Sequence, residues 1–309
     1  MQALRIGVVG AGHFGRFHAL KLAKFGLLAG VADAQPPRAA VVANECGVAV
    51  LDAARLIDLC DAVVVATPTA HHFAVAEAVL RAGRHVFIEK PIAATLAQAD
   101  GLIALAEAQG LVLQVGHIER YSAAILTLRG QMGGFVPRAL EATRVAPFRP
   151  RSLDISVVLD LMIHDIDLVL SLVDAPLAEV RAVGAAVASD LPDYVVAQLR
   201  FENGAQAQIT ASRVAVATER RLRLLGDGGE IRVDFLARDL RALRPGGAEP
   251  DENMPGWGRD QASWTEHDSL EAEQRAFIAS IQHAAPVEAN AAVARAALAT
   301  ALRIEAALG

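Results

Sequence analysis

The first 116 residues alternate short, continuously apolar runs with longer segments of helical periodicity. The apolar runs span residues 4–9, 28–31, 62–65, 85–88 and 111–115. Their length and lack of alternation are typical of parallel strands that are buried on both faces. Helical segments at residues 13–25, 73–81 and 96–109 end at Gly26, Gly83 and Gly110, which favours left-handed helix ends. Strands and helices in this repeated order predict a doubly wound parallel sheet, the Rossmann arrangement.

Beyond about residue 120 the apolar positions alternate with polar ones. The alternating runs span residues 139–145, 180–187, 194–201, 205–212 and 221–225. A period of two predicts strands with one buried face, and Glu202-Asn203-Gly204 predicts a hairpin turn between two of them. Residues 245–263 are predicted to be a loop, and the tail from Leu270 is predicted to be helical. We therefore predict a Rossmann domain over residues 1–119 and an α+β domain with a large, mainly antiparallel sheet over residues 120–309.

Composition sets the broad class of the protein. At 309 residues, 53% of them hydrophobic, the chain is long enough for two well-buried domains. A net charge of -6 argues against a nucleic-acid binder, which normally shows a basic face, so we expect small-molecule partners. Cys46 and Cys60 have neither a disulfide nor a metal spacing, so we expect no metal site and a reducing compartment, the cytoplasm. Five ionisable residues between positions 153 and 173 argue against a membrane span there.

A glycine motif lies between the first predicted strand and the first predicted helix. In that position Gly10 makes a tight turn, Gly12 lets the backbone approach a pyrophosphate, and Gly15 lets the helix pack closely. This context favours a dinucleotide site over a purely structural turn. Asp33 ends the second predicted strand, where a carboxylate can bind both ribose hydroxyls and repel a 2'-phosphate, which favours NAD over NADP. Arg38 is expected to be a solvated helix start, although an arginine there could also meet a phosphate.

Thr67 and Pro68 follow the third predicted strand, at the carboxyl edge of the sheet where ligands bind in this class of fold. His71 and His72 come next. A polar helix start accounts for His71, and the same explanation is open for His72 on the residues alone.

Lys90 follows the fourth predicted strand at the same edge, within Glu89-Lys90-Pro91. A lysine at a strand end is usually only a solvated end. Here the proline restricts the backbone just before it, and a positioned ammonium can hydrogen-bond a reacting hydroxyl and stabilise alkoxide charge. Pro91 is also a candidate for a cis peptide bond.

A helix predicted around residue 160 combines acids and an imidazole in a strongly apolar segment. Asp160 and His164 are four residues apart and share one helix face, with Asp167 one turn further. A carboxylate there can orient an imidazole as the base that takes a proton from an alcohol. A core histidine satisfied by a helical neighbour is the alternative explanation.

Together these motifs resemble the glucose-fructose oxidoreductase and inositol dehydrogenase family over essentially the whole chain. The resemblance implies an NAD(P) oxidoreductase acting on sugars or cyclitols, with Lys90, Asp160 and His164 as its catalytic residues. The matching positions and their neighbours imply this cofactor-binding set: Gly10, Gly12, His13, Phe14, Gly15, Asp33, Thr67, Pro68, His72, Glu89 and Lys90. Met162 departs from the family, which usually has glycine there.

A narrower likeness, in residues 115–121 and 157–167, is to the sugar-nucleotide branch and in particular to UDP-N-acetylglucosamine 3-dehydrogenases. Guanidinium groups suit a diphosphate, and four arginines precede the predicted catalytic helix: Arg138, Arg144, Arg149 and Arg151. Solvated arginines on an edge strand explain the same pattern equally well. The substrate-binding prediction comprises Lys90, His117, Arg120, Arg144, Arg149, Asp160 and His164.

The resulting hypothesis is an NAD-dependent dehydrogenase in which His164 takes the hydroxyl proton, Asp160 orients His164, and Lys90 stabilises the alkoxide. The first domain is predicted to bind NAD, and the second to bind the sugar nucleotide and to form a homodimer or homotetramer. A 3-keto product is expected to pass to an aminotransferase. The alternatives are an inositol or free-sugar dehydrogenase and, in another class, a non-catalytic NAD-binding sensor.

Overall fold

The computed structural model describes residues 4–150 and 155–309. The described residues form two compact units. The first contains the described residues up to Ile118 together with Asp268–Leu298, and the second contains those of 119–267 together with Ala299–Gly309. Both units are therefore discontinuous in sequence.

The first unit is built on a parallel sheet. Up to residue 115 its elements are β1 (Ile6–Val9), α1 (His13–Lys24), β2 (Leu28–Ala32), α2 (Pro36–Cys46), α3 (Ala53–Leu59), β3 (Ala62–Val65), α4 (Thr69–Arg81), β4 (His85–Ile88), α5 (Leu96–Ala108) and β5 (Leu113–Val115). The strand order is β2-β1-β3-β4-β5, and every neighbouring pair is parallel. The predicted doubly wound sheet is confirmed, with all five predicted strands in place.

Two helices, α2 and α3, lie where the apolar pattern predicts no element, although a helix start is expected at Arg38, which lies in the first turn of α2. The buried residues of α2 are Ala39, Val42 and Ala43, and those of α3 are Leu56 and Ile57. Each helix thus buries only a narrow stripe of residues. The stripe of α2 consists mostly of small side chains. Such a stripe produces a weak periodic signal, so tertiary packing was needed to reveal both helices.

The second unit begins at Glu119, within a 3-10 turn at Ile118–Tyr121. Its elements up to residue 263 are α6 (Ala123–Met132), β6 (Pro137–Val145), a π-helical turn (Val158–Met162), α7 (Ile163–Leu172), β7 (Leu177–Ala185), β8 (Tyr194–Phe201), β9 (Gln206–Ser212), β10 (Glu219–Gly226), β11 (Gly229–Asp234), β12 (Asp239–Pro245), β13 (Glu249–Pro250) and β14 (Trp257–Ser263). In the described part of this unit, strands β6 to β14 form one nine-stranded sheet. Its strand order is β13-β14-β12-β11-β10-β6-β9-β8-β7. Only β6 and β9 pair in parallel among these strands, so the predicted large, mainly antiparallel sheet is confirmed.

The prediction of a loop over residues 245–263 is wrong, because this stretch contains β13 and β14. β14 pairs with β12 along its whole length, from Asp239 opposite Ser263 to Pro245 opposite Trp257. Few large apolar side chains alternate in β14, and its main-chain hydrogen bonds to β12 leave no trace in a hydrophobic pattern.

The helical tail is present as α8 (Ser269–His283) and α9 (Ala291–Ala306). It does not belong wholly to the second domain as predicted, because Asp268–Leu298 pack with the first unit. Phe277 of α8 is buried in the first unit's core, where its ring meets that of Phe87 edge to face at a centroid distance of 5.7 Å. None of the helices in residues 4–150 and 155–309 combines the length and apolar character that a membrane span requires.

Candidate active site

The loop between β1 and α1 has the backbone that a dinucleotide site requires. Gly10 has a φ of +100°, and a Cβ there would meet the carbonyl group of Ala66 at 2.5 Å. A Cβ on Gly15 would lie 1.7 Å from the carbonyl oxygen of Gly10, so α1 packs directly on the turn. A Cβ on Gly12 would meet nothing within 4 Å. Because the first amides of a helix lack intrahelical partners, this open space suits a pyrophosphate.

His13 and Phe14 are the first two residues of α1, and both are exposed. Gly12 is the N-cap of the helix and makes no side-chain cap hydrogen bond, since glycine has no side chain to supply one. The adjoining cleft has a volume of about 540 Å³ and is lined by Ala11, Gly12, His13, Arg16, Arg38, Val41 and Val42. The predicted dinucleotide loop is thus open at the end of α1 where phosphate groups would bind.

Asp33 lies just beyond the end of β2 and is almost buried, with 8% of its side chain exposed. One carboxylate oxygen accepts the amide N–H of Ala11 at 2.7 Å, and the other accepts that of Gln35 at 2.7 Å. Each oxygen retains acceptor capacity for a ribose hydroxyl. Arg38 lies 4.0 Å from the Asp33 carboxylate and is half exposed, so its charge is already partly matched.

Thr67 and Pro68 lie between β3 and α4, as predicted. The hydroxyl oxygen of Thr67 is buried and has no hydrogen-bond partner among the described residues. An unpartnered buried hydroxyl beside the glycine loop is costly unless a ligand satisfies it. Together with the open Gly12 and the ribose-binding capacity of Asp33, it shows that the first unit fits NAD.

His72, predicted to bind the cofactor, lies with both ring nitrogens against main-chain carbonyl oxygens. Its ring nitrogens lie 2.7 Å from the carbonyl oxygen of Pro91 and 2.8 Å from that of Thr67. Burial lowers the pKa of His72, even though both carbonyls and the Glu89 carboxylate favour the charged ring. Since both nitrogens face the main chain, His72 joins the turn after β3 to the segment after β4.

Glu89, also predicted to bind the cofactor, turns its carboxylate into the protein. It is 9% exposed and lies 2.7 Å from the Nε2 atom of His18 on α1. Burial alone would raise the pKa of Glu89, but the hydrogen bond from His18 and the charges of Lys90 and His72 bring it below its ordinary value. Lys90 itself is partly exposed, and the peptide bond between Lys90 and Pro91 is cis.

His164, the predicted base, and Asp160, predicted to orient it, lie where a π-helical turn meets α7. Asp160 is in the π-helical turn and is 8% exposed, whereas His164, in the first turn of α7, is partly exposed. Met162, at the position where the family usually has glycine, is fully buried. Short π-helical segments within α-helices occur frequently at functional sites, and sequence periodicity does not reveal them.

Arg120, predicted to bind substrate, is committed to a buried ion pair. Its guanidinium donates to both carboxylate oxygens of Asp167, with distances of 2.8 to 3.1 Å. The two side chains are 8% and 1% exposed. A bidentate pair of this kind leaves little of the guanidinium for a diphosphate, and substrate binding by Arg120 stays a prediction.

Arg144, the central arginine of the predicted diphosphate site, is likewise occupied. It donates to both oxygens of Asp165 on α7, at 2.6 and 3.1 Å, and to Glu119 at 3.2 Å. Arg220 on β10 also pairs with Glu119, and its guanidinium stacks on Phe235. Burial alone would lower the pKa of Arg144, but the two carboxylates raise it. This four-charge cluster ties β6, β10 and α7 together and is a structural feature of the second unit.

The other side chains considered for substrate binding differ in their exposure and in their ion pairs. Arg149 is exposed and lies two residues before the undescribed stretch 151–154. Arg151 lies in that stretch, outside the described residues. Arg138 pairs at the surface with Asp227 at 2.9 Å, and His117 is 1% exposed in the first unit. Of the arginines predicted to bind the diphosphate, Arg149 alone has a described guanidinium that meets no described carboxylate.

A second buried pair, Arg213 with Asp193, has no signal in the sequence pattern. Arg213 donates to Asp193 at 2.6 Å and to the carbonyl oxygen of Ile155 at 2.9 Å. Three amides and the hydroxyl of Ser189 also donate to Asp193, and this lowers the pKa of the carboxyl although burial raises it. Ser156 is bound by Glu305 of α9 at 2.5 Å. The backbone that enters the π-helical turn of Asp160 is therefore held from two sides.

We expect Arg120→Met to lower the free energy of unfolding by about 3–5 kcal/mol, because it leaves the buried carboxylate of Asp167 without its bidentate partner. Urea unfolding of the purified protein measures the change. Arg138→Met, which removes the exposed pair with Asp227, is the matched control and should have little effect. A loss below about 1 kcal/mol for Arg120→Met would mean that solvent screens the pair.

Comparison with known proteins defines the class. Residues 4–117 match an oxidoreductase family with an NAD-binding Rossmann fold, and residues 124–232 match the GFO/IDH/MocA C-terminal domain. The chain belongs to the GFO/IDH/MocA oxidoreductase family and is an NAD-dependent dehydrogenase.

Individual relatives narrow this class. The chain is 43% identical to the UDP-N-acetylglucosamine 3-dehydrogenase of Acidithiobacillus ferrooxidans over 310 aligned residues, which cover 100% of this chain and 98% of the relative. The solved structure of that enzyme matches with a TM-score of 0.94 at the same coverage. A myo-inositol 2-dehydrogenase of Thermotoga maritima is 31% identical over 255 residues, 75% of each chain.

Proposed function

We propose that this protein oxidises C3 of UDP-N-acetylglucosamine to a ketone, with NAD as the oxidant. The observation that carries the proposal is the full-length similarity, at 43% identity and a TM-score of 0.94, to a UDP-N-acetylglucosamine 3-dehydrogenase. The inositol dehydrogenase is less similar in both identity and coverage. The sugar-nucleotide substrate is therefore favoured over a free cyclitol.

The proposed catalytic residues are Lys90, Asp160 and His164. His164 takes the proton of the C3 hydroxyl while the C3–H bond breaks with its electron pair and the C–O bond becomes a carbonyl. Bound NAD supplies the acceptor for that hydride. Asp160, in the preceding turn, orients the imidazole and stabilises its charged form. Lys90 donates a hydrogen bond to the oxygen and stabilises its developing negative charge.

Residues of the first unit are proposed to hold NAD. The amides at the start of α1, next to Gly12, bind the pyrophosphate, and Asp33 binds the adenosine ribose. Thr67 donates its buried hydroxyl to the cofactor. His72 and Glu89 contribute indirectly by holding the neighbouring main chain.

A 3-keto sugar nucleotide is reactive, so we propose that an aminotransferase consumes it.

The thiols of Cys46 and Cys60 are both free, which supports a reducing compartment and hence the cytoplasm. The exposed face of the nine-stranded sheet carries ion pairs between neighbouring strands, such as Arg223 with Glu141 at 3.3 Å, and we propose that it pairs with a second copy in a homodimer or homotetramer.

One observation favours a second candidate, an inositol or free-sugar dehydrogenase. Arg120 and Arg144, two of the groups predicted to bind a diphosphate, are occupied by carboxylates of the second unit. A substrate without phosphate groups would need neither of them. This alternative predicts turnover that does not require the nucleotide.

The test is to mix the purified protein with NAD and UDP-N-acetylglucosamine and to follow NADH absorbance. An aminotransferase with its amino donor is included to remove the ketone, since the equilibrium of alcohol oxidation is unfavourable. Parallel reactions contain myo-inositol, free N-acetylglucosamine or no sugar. NADH formation with UDP-N-acetylglucosamine, and in none of the parallel reactions, supports the proposal. Turnover of inositol or free sugar in its place would keep the dehydrogenase chemistry and reject the substrate.

A further inference from the structure

A buried ion pair of the second unit reaches the backbone that leads to Asp160. Arg213 directly follows β9, and Asp193 ends the loop between β7 and β8. Their side chains are 6% and 0% exposed, and the guanidinium donates to the carboxylate at 2.6 Å. A second guanidinium nitrogen of Arg213 donates to the carbonyl oxygen of Ile155 at 2.9 Å. No step of the proposed reaction uses this pair.

The loop that carries Asp193 is longer than its hairpin requires. It comprises eight residues, 186–193, whereas hairpin loops usually have about two to five. The amides of residues 187–189 donate to one carboxylate oxygen of Asp193 at 2.6 to 3.0 Å, so the loop wraps around this side chain. The carbonyl oxygen of Pro192 accepts the N–H of Val157 at 3.0 Å. The extra length thus gives the loop its own contact with the segment that enters the π-helical turn.

Stability alone does not explain why this ion pair is buried. Removal of two charges from water costs about as much free energy as their attraction returns, so apolar side chains of similar volume often stabilise a protein equally well. An ion pair differs from an apolar pair in the directions that it imposes. The planar guanidinium of Arg213 donates to Asp193 and to the carbonyl of Ile155 at the same time. The pair therefore fixes the place of the backbone at Ile155.

The carbonyl of Ile155 lies next to the start of the π-helical turn. The N–H of Asp160 donates to the carbonyl of Ser156 at 3.0 Å, and the carbonyl one residue earlier accepts from Arg213. A shift of helical register by one residue turns a side chain by about 100°. Because Asp160 lies inside the turn and His164 follows it, the point at which the turn begins sets the direction of one side chain relative to the other.

We infer that Arg213 and Asp193 are positioning residues for Asp160. The pair fixes the carbonyl of Ile155, and the loop of Asp193 fixes the amide two residues further, so the turn that carries Asp160 begins at one defined place. The Asp160 carboxylate is then held in the direction from which it orients the imidazole of His164. This inference rests on the proposed role of Asp160 and adds the residues that hold it.

The variant Arg213→Lys tests the positioning role. Lysine keeps a positive charge for Asp193, but its ammonium lacks the planar fork that also reaches Ile155. We expect kcat to fall about tenfold or more, with the KM of the sugar substrate and the dissociation constant of NAD within about a factor of two, because misplacement of a catalytic group slows the chemical step. Arg200→Lys, which alters an exposed pair with Glu179 on the same sheet, is the matched control. A kcat of Arg213→Lys within about twofold of the native value would overturn the inference.

A double-mutant cycle separates positioning from general destabilisation. In an Asp160→Asn background, Arg213→Lys should lower kcat by less than about twofold, because the carboxylate that it positions is already absent. Equal losses in the native and Asp160→Asn backgrounds would overturn the inference. The cycle uses whichever of the sugar nucleotide, inositol or free sugar the native protein turns over, so a wrong substrate assignment does not affect it.

Hydrogen exchange of the backbone amides tests the hold on the turn without any substrate. Mass spectrometry of peptides that contain residues 155–163 should show faster exchange in Arg213→Lys than in the native protein, whereas Arg200→Lys should leave it unchanged. Native exchange in Arg213→Lys would overturn the inference. Since this measurement is independent of the reaction, it distinguishes failure of the proposed function from failure of the role assigned to Arg213.

Ser189 offers a milder pair of variants if Arg213→Lys does not fold. Its hydroxyl oxygen lies 2.8 Å from the carboxylate of Asp193 and 3.1 Å from a guanidinium nitrogen of Arg213. Ser189→Ala removes both contacts and should lower kcat and speed the exchange of the same peptides. Ser189→Thr keeps the hydroxyl and should restore both quantities. Identical kcat and exchange in the two variants would contradict the inference.

Discussion

Replacement of His164 by alanine is expected to lower kcat by about 10²–10⁴-fold while the dissociation constant of NAD stays within a factor of two. The imidazole is the proposed base for the hydroxyl proton, and the loss of a positioned base slows proton removal by this order. The residues proposed to hold NAD lie in the first unit, whereas His164 lies on α7 of the second. The effect should therefore appear in kcat and not in cofactor binding.

For His164→Ala, steady-state NADH formation measures kcat, and calorimetric titration with NAD measures the dissociation constant. His283→Ala, which removes an exposed imidazole at the end of α8, is the matched control and should retain full turnover. Turnover by His164→Ala near the native rate would remove His164 from the mechanism. Weakened NAD binding with native kcat would instead assign the residue to the cofactor.

The second large effect is expected for Lys90→Ala, which should lower kcat by about 10²–10³-fold, the range for loss of one group that stabilises an oxyanion. Lys90→Arg keeps the charge but replaces a compact ammonium with a planar fork, so we expect it to recover only part of the activity. The cofactor affinity should change little, because Asp33 and the α1 amides are untouched.

Comparison of kcat and KM across Lys90→Ala, Lys90→Arg and Lys24→Ala is the measurement. Lys24 makes an exposed ion pair with Glu271 in the same unit, and its replacement should leave kcat unchanged. A rise in KM at constant kcat for Lys90→Ala would show that the lysine only binds the sugar, contrary to the proposed role.

Buried carboxylates of the second unit pair with arginines that the sequence alone leaves available for a diphosphate. From the sequence, Arg120 and Arg144 are basic groups ahead of a catalytic helix and therefore candidates for a diphosphate. In the folded unit their partners are Asp167 and Asp165, which lie on α7 beside His164. Because both aspartates are buried, these pairs hold the helix of the proposed base in a defined place.

His72 is a second residue whose position the sequence locates correctly but whose hydrogen-bond partners it does not reveal. Its spacing from Thr67 puts it in the first turns of α4, near a predicted cofactor site. The distances to two main-chain carbonyls are what make it a structural link. One of these carbonyls belongs to Pro91, whose contact depends on how β3 and β4 lie side by side.

The sequence by itself determined the Rossmann sheet, the glycine loop, the position of Asp33 after β2, the positions of Thr67 and Lys90 after β3 and β4, and the spacing of four residues between Asp160 and His164. These features are local, because strand periodicity, turn glycines and i to i+4 spacing are set by neighbours along the chain. Only the tertiary structure decided that α8 packs with the first unit, that Glu89 faces His18, and that Arg120 and Arg144 are paired with buried carboxylates. Each depends on contacts between residues far apart in sequence, which no local pattern encodes.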